Sequence, residues 1–214
     1  ASCLVGSEMC IRDRCMVVAE VSGSIQGQAK IPLSKRPILN NDEWKIFYDK
    51  INEISKYMED SGVPLAYHHH MGTVVQSQED TERLIDNTLD TVKLLIDTGH
   101  MMFAGGDFEK IAKDYSTRLY HVHCKDIRKD ILDIALKDDL SFIEAFFSGA
   151  FTVPGDGCIN YKNFLKVLKD LDYKGWLVVE AEQDPKKANP FEYGKIGFNH
   201  LRKIALDCGF EITR

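Results

Sequence analysis

Five short, almost continuously apolar runs alternate with amphipathic stretches along this chain, and that alternation restricts the fold more than any other feature. The runs are "MVVAEVSG" (16–23), "VPLAYH" (63–68), "VKLLID" (92–97), "RLYHVHCKD" (118–126) and "GWLVVEAE" (175–182). Between them, apolar residues recur at helical spacing. Trp44, Phe47, Ile51, Ile54 and Met58 follow "NNDEW", where Asn41 can cap a helix and acids fill its first turn. A serine-capped helix is expected over "SQEDTERLIDNTLD" (77–90), a short one around "DFEKIAKDY", and a longer helical insertion between Ile127 and Phe147. Helices are also expected over "YKNFLKVLKDL" and "FEYGKIGFNHLRKIALDC". Apolar strands separated by helices describe a parallel sheet buried on both faces. No linker or low-complexity segment divides the pattern.

In such a fold the site lies beyond the C-terminal strand ends, and side chains two apart share a face. Each run ends in ionisable groups on one such face: Glu20 with Val18 and Ser22; His68 and His70 with Ala66; Asp97 with Leu95; His121, His123 and Lys125; Glu180 and Glu182 with Val178. His69 falls opposite, toward the helical layer or solvent. One buried histidine is usually a hydrogen-bonded core residue. Five strands ending this way favour a shared cation, because an unpaired buried charge is costly. Carboxylate and imidazole donors without thiolate suit Mn²⁺, Co²⁺, Fe²⁺, Zn²⁺ or Mg²⁺.

Composition narrows the partners. The 214 residues are 44% hydrophobic and 28% charged, with a net charge of −6, which disfavours nucleic acid and anionic membranes because both need a basic face. No apolar run nears the roughly 18 residues of a membrane span. The six cysteines have no zinc-like spacing, so free thiols in a cytoplasmic setting are expected. The opening "ASCLVGSEMCIRDR" has no structural periodicity and resembles translated adapter sequence. Residues 1–15 are therefore expected to be non-native, with residues 16–214 forming a single domain.

The motifs "YHHHMGT", "DTGHMMFAGGD", "HVHCKDIR", "PGDGCINY" and "VVEAE" together resemble the xylose-isomerase-like TIM (β/α)₈ barrels, a superfamily of sugar isomerases, epimerases, an AP-endonuclease branch and inosose dehydratases. The combination is most similar to the inosose dehydratase branch. A full barrel has eight strands in about 250 residues, so this chain is expected to hold the C-terminal five or so β–α units. The resemblance implies a divalent metal, Mn²⁺ or Co²⁺ foremost, held by Asp97, His123 and Glu180. His68 stands where a second acid is expected, and either His68 or His70 completes the set.

The implied reaction is dehydration of a small keto-inositol in inositol catabolism. Glu20, His100 and Lys125 are the expected catalytic groups, and His70, His100 and His121 the expected substrate contacts. Glu182 is expected to lie outside the metal set or at the surface, and Asp126 to cap the following loop. The chain could form a homo-oligomer. A sugar isomerase or epimerase of the same superfamily is the alternative within enzymes. A non-catalytic or truncated relative is the alternative outside them.

Overall fold

Five of the apolar runs pair side by side in a computed structural model that describes residues 15–212. The strands are β1 (Met16–Val18), β2 (Leu65–His68), β3 (Val92–Asp97), β4 (Leu119–Cys124), the short β5 (Asp126–Ile127) and β6 (Phe151–Thr152), and β7 (Leu177–Val179). The helices are α1 (Asn41–Asp60), α2 (Gln78–Asp86), α3 (Thr98–Phe103), α4 (Phe108–Asp114), α5 (Lys129–Lys137), α6 (Phe142–Ser148), α7 (Tyr161–Asp170) and α8 (Pro190–Asp207). The main sheet runs β1-β2-β3-β4-β7 and every pairing in it is parallel, while β5 and β6 form a separate antiparallel pair.

Alternation along the strands sorts the sheet into two faces. Leu94 and Ile96 of β3, and Val122 and Cys124 of β4, join Phe164, Leu165 and Leu168 of α7 and Leu201 of α8 in one buried cluster. That is the helix-facing layer, and each such Leu, Ile or Phe contributes about 1.5–3 kcal/mol on burial. Leu95 packs instead with Ala66 and Cys15 on the other face. The register across that face places Leu95 beside His121 and Asp97 beside His123.

Several sequence expectations shift. The first and last strands keep only residues 16–18 and 177–179 of the longer apolar runs. After β1 the Glu20 N–H turns to the Tyr67 hydroxyl, and Gly23 takes a left-handed conformation with φ 69°. Asn40, not Asn41, caps α1: its side chain accepts from the Asp42 and Glu43 N–H groups while Glu43 reaches back to the Asn40 N–H. Ile54, at helical spacing with Trp44 and Ile51, is nonetheless 47% exposed, and Ser55 faces inward in its place. The helix expected over 77–90 stops at Asp86. The 127–147 insertion divides into α5 and α6, and α3 is an element that periodicity did not reveal because it starts directly on the end of β3.

Candidate functional site

Asp97 is both the last residue of β3 and the cap of α3. Its Oδ1 accepts the His100 N–H at 2.8 Å, which turns the chain so that His100 returns over the strand ends. Oδ2 is left facing the interior. His69 does not reach solvent: it is fully buried, and its Nε2 accepts the Asp97 N–H at 3.2 Å. The middle histidine of "HHH" therefore fastens β2 to β3 while its neighbours face the site.

Four atoms converge at the strand ends. His68 Nε2 lies 3.6 Å from Asp97 Oδ2, His123 Nδ1 lies 3.7 Å from the same oxygen, and His123 Nδ1 lies 3.1 Å from Glu180 Oε2. All four atoms are buried and none has a hydrogen-bond partner. The Lys125 ammonium pairs with the two carboxylate oxygens, and polar atoms left buried without a hydrogen bond would cost on the order of 1–3 kcal/mol each, a cost that a cation between them would offset. Asp97, His123 and Glu180 stand close enough together for one ion, while His68 groups with Asp97 and His100. A tetrahedral ion with bonds near 2.1 Å holds its ligands about 3.4 Å apart, which is close to these separations. The residues present thus fit a divalent metal, and Asp97, His123 and Glu180 form one cluster with compatible spacing.

Electrostatics point the same way. Burial would push Asp97 up, but Lys125 above all, with the neighbouring imidazoles, holds its carboxyl well below the usual range. Burial would likewise lower His123, yet the Glu180 and Asp97 carboxylates outweigh it and hold the imidazole up to about 9. His68 follows burial and falls to about 4.

Lys125 is the surprise of the site. It is fully buried, and its ammonium lies 2.8 Å from Glu182 Oε2, 2.9 Å from His100 Nε2, 3.1 Å from Glu180 Oε2 and 3.3 Å from Asp97 Oδ2. Glu182, expected at the margin, binds it directly and also faces His70 and His100. Each residue of "DTGH" serves this lysine. Asp97 and His100 meet the ammonium, the Thr98 hydroxyl donates to the Lys125 carbonyl and accepts its N–H, and Gly99 leaves room for the stem. A Cβ on Gly99 would come within 2.7 Å of Lys125 Cγ.

His70 lies past the end of β2, in a loop closed by its own N–H to the Val75 carbonyl at 3.0 Å. Gly72 in that loop has φ 78°, and a Cβ there would sit 2.9 Å from the Gln26 nitrogen, so only glycine fits. The His70 ring packs against His100 with centroids 3.8 Å apart and planes tilted by 47°, and Phe142 and Phe151 back the pair. Two expected residues stand apart from these contacts. The Glu20 carboxylate accepts the Ser22 N–H of its own loop. His121 lies one layer deeper, with Nδ1 3.9 Å from the Cys15 thiol. Asp126 does cap a loop, though a more distant one: it accepts N–H groups from Ile127, Gly155 and Ile159 and so anchors the "PGDGCIN" turn. A cleft of about 290 Å³ lined by Leu33, Met71, Phe103 and Leu140 holds none of the converging groups.

A parallel β/α sheet whose C-terminal ends gather acids, imidazoles and one buried lysine defines the class of protein. The chain belongs to the xylose isomerase-like TIM barrel family, which matches residues 12–204. It is 43% identical over 200 residues to the rhizopine catabolism protein MocC of Rhizobium meliloti, covering 94% of this chain and 62% of that one. It is 47% identical over 180 residues to an inosose dehydratase of Bacillus cereus (strain AH820), covering 83% of this chain and 60% of the relative. The chain thus spans about three-fifths of the length of these curated relatives. Among solved structures, a crystal structure of the IOLI protein with a binding zinc atom superposes with a TM-score of 0.56 at 21% identity, covering 81% of this chain and 59% of that one.

Proposed function

We propose that this chain carries the metal centre of a hydro-lyase that dehydrates 2-keto-myo-inositol. The observation that carries the reading is the buried cluster of Asp97, His123 and Glu180, close enough together to hold one ion, with His68 Nε2 3.6 Å from Asp97 Oδ2 beside it. The 47% identity to a protein named inosose dehydratase supports the substrate class. Imidazole and carboxylate donors without thiolate suit Mn²⁺ and Co²⁺ as well as Fe²⁺, Zn²⁺ or Mg²⁺, and the family resemblance puts Mn²⁺ or Co²⁺ first.

His68, Asp97, His123 and Glu180 would hold the metal, whose Lewis acidity would stabilise negative charge on the substrate's carbonyl oxygen by several kcal/mol. The remaining groups move protons. Burial holds the His100 imidazole well below its usual pKa and so neutral; its Nε2, which meets the Lys125 ammonium at 2.9 Å, takes the proton α to the ketone as that ammonium turns to the β-hydroxyl. Burial would lower the Lys125 pKa, but Asp97, Glu180 and Glu182 outweigh it and hold Lys125 protonated. It acts as a relay: it passes a proton to the β-hydroxyl as it takes the one on His100 along their 2.9 Å contact, the carbon–oxygen bond breaks, and water leaves as the carbon–carbon double bond forms. His70, packed against His100 and anchored to the Met71 carbonyl, orients a substrate hydroxyl.

The test is direct. With Mn²⁺ or Co²⁺ the protein should convert 2-keto-myo-inositol to an unsaturated or dione product absorbing in the near ultraviolet. A chelator should abolish the conversion and added metal should restore it. Asp97→Ala, His123→Ala and Glu180→Ala should each lose stoichiometric metal and activity together, and tight metal retained by all three would sink the assignment. Interconversion of ketoses without loss of water would replace the dehydratase by the isomerase or epimerase alternative.

A further inference from the structure

A second group of atoms at the strand ends has the spacing of a cation site. His70 Nε2 lies 3.4 Å from Glu182 Oε1, and His100 Nε2 lies 3.3 Å from Glu182 Oε2. Those separations match the roughly 3.4 Å between ligands of a tetrahedral ion with bonds near 2.1 Å. His70 is also oriented as metal-bound histidines are. Its Nδ1–H donates to the Met71 carbonyl at 2.8 Å, which directs Nε2 at the Glu182 carboxylate. A carboxylate flanked by two imidazole nitrogens favours a positive charge beside it.

That charge is present. The Lys125 ammonium binds Glu182 Oε2 at 2.8 Å and His100 Nε2 at 2.9 Å, two of the atoms this second group would offer a metal. The same nitrogen lies within 3.3 Å of Asp97 Oδ2 and Glu180 Oε2 of the first group. One ammonium therefore serves both.

We propose that Lys125 fills a second cation site built from His70, His100 and Glu182, and so restricts the centre to one divalent ion. The charge count agrees. Asp97, Glu180 and Glu182 supply three negative charges, which Lys125 and one divalent ion neutralise. A second divalent ion beside Lys125 would leave two uncompensated positive charges in a buried site, which is strongly unfavourable. Removing the ammonium reverses this: one divalent ion leaves a negative charge, and three donors stand unclaimed. The metal-free His70–His100 pair then remains available to substrate in the native protein.

The inference rests on the assignment of His68, Asp97, His123 and Glu180 to the first metal, and the experiment separates the two. The full chain is stripped of metal, saturated with Mn²⁺, gel-filtered and analysed for metal content, with electron paramagnetic resonance to detect coupled ion pairs. The native protein should hold one uncoupled Mn²⁺ per chain. Lys125→Met should hold two with a coupled signal, and Lys125→Met/Glu182→Gln should return to one. Native protein holding no metal would overturn the first-site assignment. Native protein holding a coupled pair would overturn the lysine proposal alone, as would a folded Lys125→Met that holds only one ion. Should Lys125→Met fail to give a native circular dichroism spectrum, Lys125→Gln, which keeps polarity and most of the length, asks the same question. The native stoichiometry decides the first half of the proposal without any variant.

Discussion

Gly99 shows how narrowly single residues are set around the buried lysine. Its neighbour Thr98 fixes the Lys125 backbone, and a Cβ on Gly99 would lie 2.7 Å from Lys125 Cγ and 3.0 Å from Cδ. The lysine stem has little room to retreat, because its ammonium is tied to Glu182 and His100. Gly99→Ala should therefore destabilise by about 1–3 kcal/mol, the usual cost of overpacking a filled interior, and should weaken metal retention as Lys125 is displaced. Urea unfolding followed by circular dichroism reads the first effect, and metal analysis after gel filtration the second. Unchanged stability would show that Lys125 has another place to go. At this scale the sequence was partly legible. "DTGH" and "HVHCK" marked the right residues, because alternation alone puts Asp97, His123 and Lys125 on one face. Glu182 shares the predicted face of Glu180, but alternation assigns a face and not a partner, and only the packing of Lys125 against it brings Glu182 into the centre.

Among the elements, α1 tests how a helix start is read. Asn40 accepts two N–H groups at 2.9 and 3.0 Å, whereas Asn41 lies inside the helix and accepts from Arg83 at 2.9 Å. Asn40→Ala should cost about 1 kcal/mol, and Asn41→Ala no more than about 0.5 kcal/mol, since it removes only an exposed contact. Urea denaturation midpoints of the two variants should separate in that order, and equal midpoints would contradict the capping box. The two adjacent asparagines could not be told apart by sequence, because both precede the same acidic first turn. The β5–β6 pair was missed for a different reason. Two-residue strands carry no periodicity, and these are held by Arg128 bridging the Gly149 carbonyl and Thr152, and by Asp126 gathering the turn at 155–159.

For the whole molecule the decisive feature is an open parallel sheet. Among the described residues β1 pairs only with β2, and β7 only with β4, so both edges present unpaired backbone groups. Exposed edges invite pairing with another chain. The 214-residue chain by itself should therefore self-associate at micromolar concentration, as measured by analytical ultracentrifugation. A monomer that unfolds cooperatively would show that the edges are protected as they stand. Among the described residues no helix is long and apolar enough to cross a membrane.

The sequence by itself determined the β–α order, the parallel sheet and the face on which the ionisable groups gather, because a two-residue period and a 3.6-residue period are local properties of the chain. It also determined the residue types that suit a divalent ion. Only the tertiary structure decided where Lys125 sits, that His69 ties β2 to β3, that Glu182 joins the centre and that Glu20 turns back on its own loop. Those outcomes depend on where each strand stops and which loop packs over it. Contacts across 25 to 112 residues settle the placement of Lys125, His69 and Glu182, and no local pattern encodes them.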